Sequence, residues 1–252
     1  MRCGYKRRTW DFGRTREVEE NHSGNYGAPG QKRNRKRDPT PEDIERQNQW
    51  KRERDLRRLI KWNFKRSDQW VTLTYRNGER PTWEQMAKDI QDAVKKMRIR
   101  YKKQEQELKY IYRLGIGKRG GPHIHILLNH FANDKTDTAR ILQECWTHGH
   151  INIRPVDDPD QCEELAQYIA KPLEEWEPEN LKRYHPSRNL IRKEPEEKAI
   201  HKRALVDRHG YMQEIKPPKG WYVDKDSIRF GQNPVTGYFY RHYTLVKLDR
   251  RI

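Results

Sequence analysis

The chain has 252 residues, a formal net charge of +17, a sequence pI near 9.8 and a mean hydropathy of −1.31. No apolar run has the length of a membrane span, and the first residues lack the apolar stretch of a signal peptide. We therefore expect a cytoplasmic protein with one sizeable domain plus extensions. Its three cysteines are too few and too scattered for a disulfide framework or a CxxC zinc site.

The positive charge is concentrated at the front of the chain. Residues 1–66 hold 20 Lys and Arg against 10 Asp and Glu. Such an excess points to a polyanionic partner, and nucleic acid is the default one. An acidic membrane surface is the competing partner, but no predicted helix has the strongly apolar face that peripheral binding needs.

Residues 1–40 are rich in Gly, Asn, Arg and Pro, which predicts a disordered basic arm. A solvated tail without a partner accounts for its charge equally well. Residues 41–66 follow as an N-terminal helix, with acids in the first turn and cations later. If the arm binds DNA, we expect its cations to hold phosphates without reading sequence: Lys32, Arg33, Arg35, Lys36 and Arg37.

Residues 67–175 alternate strand and helix patterns and are predicted to form the core domain. Residues 176–252 are assigned to a C-terminal extension with a closing strand, and 174–220 carries no clear pattern. This succession predicts an α+β domain with helices packed on an antiparallel sheet. Strands are predicted at 70–75, 108–114, 122–129, 151–153 and 238–248, and helices at 82–101, 135–146 and 160–171.

Two histidines stand out on the predicted strand at 122–129. His123 and His125 alternate with Ile124 and Ile126, so both imidazoles lie on one face while the isoleucines enter the core. Two imidazoles side by side on a rigid strand can start a metal site. Two surface histidines are an equally good interpretation of this motif alone.

The predicted helix at 160–171 carries a candidate nucleophile. Tyr168 lies off the apolar stripe of this helix, and Lys171 follows one turn later on the same flank. A phenol titrates near 10, so it needs a metal-activated phosphate or a nearby cation to react at neutral pH. With thirteen tyrosines in the chain, an ordinary boundary tyrosine is the simpler interpretation of Tyr168 alone.

The segment Gly115–Gly120 fits GxGxxG after a strand, but a second strand follows instead of the helix that a dinucleotide site requires. We interpret it as a hairpin turn in which Lys118 and Arg119 can meet phosphates. We expect no nucleotide cofactor.

The three motifs in this order resemble those of HUH-superfamily rolling-circle replication initiators, single-tyrosine class, from bacterial plasmids and phages. They are the VTLTY strand at 71–75, the histidine strand at 123–125 and the YxxK helix at 168–171, and the resemblance covers about 69–175 plus the closing strand. It implies a five-stranded antiparallel sheet and a divalent metal, Mg2+ or Mn2+, on His123 and His125. Tyr168 would attack DNA to leave a 5′-phosphotyrosine link and a free 3′-OH, with Lys171 stabilising or positioning the phosphate.

The resemblance also implies partners: single-stranded or origin DNA, a host helicase and a host polymerase, all in a bacterial cytoplasm. The chain departs from the family at Gly115, where relatives usually carry an acidic third ligand. His148, His150, a distant carboxylate or water completes the site, or the metal is held weakly. A DNA-binding initiator or repressor with little cleavage, or a ferredoxin-like RNA-processing nuclease, therefore stays open.

Overall fold

The structure is a computed structural model that describes residues 4–23, 39–117, 120–156, 162–233 and 236–248. These residues form four α-helices and ten strands. The helices are α1 (Pro41–Asn63), α2 (Trp83–Lys103), α3 (Thr138–Cys145) and α4 (Glu163–Ala170). The strands are β1 (Tyr5–Asp11), β2 (Thr15–His22), β3 (Gln69–Thr74), β4 (Tyr110–Ile116), β5 (Pro122–Leu128), β6 (Ile151–Pro155), β7 (His185–Pro186), β8 (Glu196–Ile200), β9 (Trp221–Gln232) and β10 (Phe239–Lys247).

The strands make two antiparallel sheets of five strands each, which confirms the predicted α+β class. The chain divides into two compact units. One unit is Gln47–Arg192, and the other combines Met1–Arg46 with Lys193–Ile252.

In the unit Gln47–Arg192 the strand order is β6-β3-β5-β4-β7, and α2 and α3 cover one face of this sheet. The predicted capping of α2 is present, since the Thr82 side chain accepts from the backbone N–H of Gln85 at 3.3 Å. The predicted apolar stripe of α2 packs on the sheet as expected. The buried side chains at this interface include Val71, Leu73, Met86, Ile90, Val94, Met97, Tyr101, Ile124 and Ile126.

The opposite face of the same sheet is covered in part by α1 and α4. Leu56 and Ile60 of α1 and Ile169 of α4 are fully buried against Ile111 and Leu127 of the sheet. The rest of this face carries the histidines of β5. Two helices therefore bury one half of the face, and polar side chains line the other half.

The other unit contains a sheet with the order β8-β1-β2-β10-β9. The prediction of disorder across residues 1–40 is wrong for Tyr5–Asp11 and Thr15–His22, because these segments are strands. Their charges conceal the strand pattern, since some of them are buried as ion pairs. Glu20 is fully buried and accepts from Arg241 of β10 at 2.6 Å and from Arg7 at 2.7 Å.

The closing strand also differs from expectation. A strand was predicted at 238–248 and is present as β10, but it pairs with β2 and β9. It therefore lies in the second sheet, and the fifth strand of the histidine sheet is the two-residue β7. Residues 174–220, which carried no clear pattern, supply β7 and β8.

Within the described ranges, no helix combines the length and the apolar character needed to cross a membrane.

Candidate functional site

The two histidines lie where the sequence placed them, on one face of β5. In the strand register, His123 stands opposite Thr74 of β3 and Gly115 of β4, and His125 stands opposite Thr72 and Arg113. The imidazole ring centroids are 4.7 Å apart. The strand alternation that buries Ile124 and Ile126 thus brings two imidazoles together on the polar half of the sheet.

Each imidazole is oriented through its Nδ1 atom. Nδ1 of His123 donates to the carbonyl oxygen of Gly121 at 3.0 Å, and Nδ1 of His125 lies 3.1 Å from the Thr72 hydroxyl. Burial lowers the pKa of His125 to about 4, and the nearby charges of His123, Arg113 and Lys171 act in the same direction. A neutral His125 ring with its proton on Nδ1 leaves a lone pair on Nε2.

Tyr168 reaches this pair from α4. Its hydroxyl lies 2.6 Å from Nε2 of His125, although the residue is 43% exposed. Ala166, Ile169 and Ala170 on the neighbouring positions are buried, so the stripe of α4 faces the core and turns Tyr168 toward the histidines. Burial raises the pKa of Tyr168, and the positive charge of Arg113 opposes this shift.

Arg113 is a residue of this site that the sequence motifs did not single out. It is almost fully buried beside His125, and its guanidinium donates to the backbone carbonyls of Ile169 at 3.0 Å and Lys171 at 2.7 Å. It also forms an ion pair with the buried Glu177 at 3.5 Å. These contacts tie the C-terminal end of α4 to the histidine sheet. An arginine that interrupts the apolar strand pattern YIYRLGI is the signal that points to it.

Lys171 caps the C-terminal end of α4, and its ammonium donates to the Glu174 carboxylate at 3.1 Å. It lines the same cleft as His123, His125 and Tyr168. The predicted phosphate-binding residues Lys32, Arg33, Arg35, Lys36 and Arg37 of the arm and Lys118 and Arg119 of the hairpin turn lie outside the described residues. The turn itself follows the predicted pattern, because β4 and β5 pair directly on either side of it.

Gly115 controls the space around His123. A Cβ atom at this position would lie only 3.0 Å from Nε2 of His123, so the absence of a side chain leaves this nitrogen open. His148 instead lies with its Nε2 3.8 Å from Asp89 of α2. Across the described part of the chain, no group of three or more His, Cys, Asp or Glu side chains is placed to hold a metal ion.

The residues present fit a metal site built on two imidazoles. Both Nε2 atoms have a partner behind them on Nδ1, as metal-binding histidines usually do. Any further ligands would come from water or from a phosphate of the bound substrate.

Residues 68–173 match the family model of the replication-associated protein ORF2, which is less than half of the chain. The matched segment contains β3, α2, β4, β5, α3, β6 and α4, and with them both histidines and Tyr168. The match supports a role in the initiation of replication and implies that the protein interacts with DNA. No curated protein and no solved structure matches the chain.

Proposed function

We propose that the protein is a metal-dependent DNA nickase and strand transferase that starts rolling-circle replication. The observation that carries the proposal is the contact between the Tyr168 hydroxyl and Nε2 of His125, next to the second imidazole of His123. A nucleophile within hydrogen-bond reach of two imidazoles is the arrangement that transesterification of a phosphodiester needs.

In the proposed reaction the Tyr168 oxygen attacks the phosphorus of the scissile phosphodiester. The bond between this oxygen and phosphorus forms, and the bond from phosphorus to the 3′ oxygen breaks. The phenolic proton leaves to water on the exposed side of Tyr168, and the 3′ oxygen takes a proton from water. The products are a 5′-phosphotyrosine link and a free 3′-OH, which a host polymerase extends after a host helicase opens the duplex.

His123 and His125 would hold the divalent ion, Mg2+ or Mn2+, through their Nε2 atoms. When bound, this ion supplies Lewis-acid polarisation of the phosphate. Arg113 holds α4 and thereby positions Tyr168, and Lys171 contributes positive charge at the mouth of the cleft. The strand being cut is single-stranded DNA of a replication origin.

The test is the covalent adduct. The pure protein is incubated with a library of single-stranded DNA oligonucleotides and Mn2+, and the products are separated in SDS. We expect an adduct that EDTA suppresses and that peptide mapping places on Tyr168, whereas Tyr168→Phe gives none and binds DNA with nearly unchanged affinity. An adduct formed by Tyr168→Phe would contradict the assignment of the nucleophile.

Gly115 favours a second candidate function, a DNA-binding initiator or repressor with little or no cleavage, because it leaves the metal with two protein ligands. Tight DNA binding with no adduct under any divalent ion would support this candidate. Cleavage of RNA without an adduct would contradict both candidates.

A further inference from the structure

Two clefts meet at the histidine pair. The first, of about 530 Å³, is lined by Thr72, Thr74, Arg76 and Arg80 together with both histidines. The second, of about 490 Å³, is lined by both histidines and also by Tyr168, Gly115 and Trp176. We call them the arginine cleft and the tyrosine cleft. Each one is large enough for a nucleotide, and the histidines belong to both.

The two clefts differ in chemistry. In the arginine cleft, Arg76 and Arg80 are exposed, and the hydroxyls of Thr72 and Thr74 lie on the same face of β3. Arg76 donates to the Thr147 carbonyl at 3.0 Å, and its guanidinium lies 3.8 Å from the Glu79 carboxylate, a distance that leaves charge available for a phosphate. Exposed arginines beside hydroxyls are phosphate contacts rather than base contacts.

In the tyrosine cleft the cations already have partners, since Lys171 is paired with Glu174 and Arg113 with Glu177. Its distinctive side chain is Trp176, which is 55% exposed and has the Trp83 ring 6.3 Å away at an interplanar angle of 29°. An exposed indole supported by a second indole is a platform on which a DNA base can stack.

The direction of the DNA follows from the geometry of phosphoryl transfer, so this inference rests on the proposed function. The entering and leaving oxygens lie roughly in line on opposite sides of the phosphorus. Tyr168 enters from the tyrosine cleft, and the 3′ oxygen must leave toward the opposite side, where the arginine cleft lies.

We infer that the DNA strand crosses the histidine pair with a fixed polarity. The segment on the 5′ side of the nick, which ends in the leaving 3′ oxygen, lies in the arginine cleft with its phosphates on Arg76 and Arg80. The first nucleotide on the 3′ side of the nick lies in the tyrosine cleft with its base on Trp176.

Polarity is tested by photocrosslinking of Tyr168→Phe in the presence of Mn2+, so that binding is measured without cleavage. The probes are oligothymidines of about six nucleotides, within the length that single-strand binding sites cover, with one 5-iodouracil at either the 5′ or the 3′ end. We expect the 3′-labelled probe to crosslink to Trp176, and Trp176→Ala to lose this product. Crosslinking of Trp176 by the 5′-labelled probe alone, or equally by both, overturns the inferred polarity.

The phosphate contacts are tested by the salt dependence of affinity for the same oligothymidine. Arg76→Ala/Arg80→Ala should reduce the slope of log affinity against log salt by about 1.4, since each contact to a single strand contributes about 0.7. The matched control is Arg98→Ala/Lys102→Ala, two exposed cations of α2 on the other side of the sheet. An equal change in both double variants overturns the arginine cleft as a binding site.

These experiments fail separately from the proposed function. A Tyr168 adduct combined with reversed crosslinking means that the nickase stands and the polarity is wrong. The inferred crosslinking without any adduct means that the DNA path stands and the nickase does not.

Discussion

At the residue scale, Nε2 of His125 has two uses that exclude each other. In the structure it accepts the Tyr168 hydroxyl at 2.6 Å, and in the proposed reaction it holds a divalent ion. A nitrogen has one lone pair in the ring plane, so the hydroxyl must leave before the ion binds. The contact therefore competes with metal binding, and its loss frees the phenol for attack.

The first prediction follows from this competition. Tyr168→Phe should bind Mn2+ about 2- to 10-fold more tightly than the wild type, because one hydrogen bond worth about 0.5–1.5 kcal/mol no longer has to break. Isothermal titration calorimetry measures the affinity directly, without reference to cleavage. Tyr211→Phe, at a tyrosine that is 73% exposed, is the control and should change nothing. Weaker Mn2+ binding by Tyr168→Phe would mean that the tyrosine supports the metal instead of competing with it.

Gly115 carries the second prediction. A methyl group at this position would lie 3.0 Å from Nε2 of His123, closer than ordinary contact, so Gly115→Ala should displace this ring from its metal-binding position. We expect Mn2+ affinity to fall about fivefold, since crowding of this kind costs about 1 kcal/mol or more. Gly117→Ala is the matched control, because its Cβ would have its nearest neighbour at 3.6 Å. Equal affinities of the two variants for Mn2+ would show that His123 tolerates the methyl group or does not bind the ion.

At the scale of elements, β4 and α4 are joined by one buried ion pair. The side chains of Arg113 and Glu177 are 4% and 2% exposed, and the same arginine donates to the end of α4. Removing one partner of such a pair leaves a buried charge uncompensated, whereas removing both does not.

The third prediction uses this difference. Arg113→Ala should lower the free energy of unfolding by about 3 kcal/mol, as measured by urea denaturation. Arg113→Met/Glu177→Leu should recover most of that stability, yet its rate of adduct formation should stay low because α4 has lost its anchor to the sheet. Full recovery of the adduct rate in the double variant would show that Arg113 is needed for stability alone and does not position Tyr168.

The sequence predicted the elements that follow simple periodicity. The stripe of α2 and the alternation of β5 each place apolar side chains on one face, and both were confirmed. It failed for β1 and β2, where Glu20 and Arg7 are paired across strands and charge conceals the pattern. Pairing between distant parts of the chain, such as β2 with β10, leaves no local signal at all.

The site shows the same limit. His123 and His125 were found together because strand alternation fixes their common face. Tyr168 was found as a side chain off the stripe of α4, but its 2.6 Å contact with His125 depends on how α4 packs on the sheet. Arg113 was missed because its partners, the carbonyls at the end of α4, are more than fifty positions away along the chain.

At the scale of the whole molecule, the excess positive charge is shared between the described fold and the basic run at 32–37. The strands β1 and β2 lie upstream of this run and pair with β8 and β10, so deletion of residues 1–40 would remove two strands of a sheet along with the charge. The contribution of the basic run must therefore be measured by substitution in the full-length protein.

The fourth prediction concerns this run. Replacing Lys32, Arg33, Arg35, Lys36 and Arg37 by Ser should weaken binding to single-stranded DNA most strongly at low salt. The slope of log affinity against log salt should fall by as much as about 3.5, because each released phosphate contact removes about 0.7. The control removes the same five charges from the exposed face of α2, with Gln at 95, 96, 98, 102 and 103. If both variants lose the same slope, DNA responds to net charge alone, and the run at 32–37 is a solvated segment with no contact of its own. A larger loss from the run assigns it a direct place on the phosphate backbone.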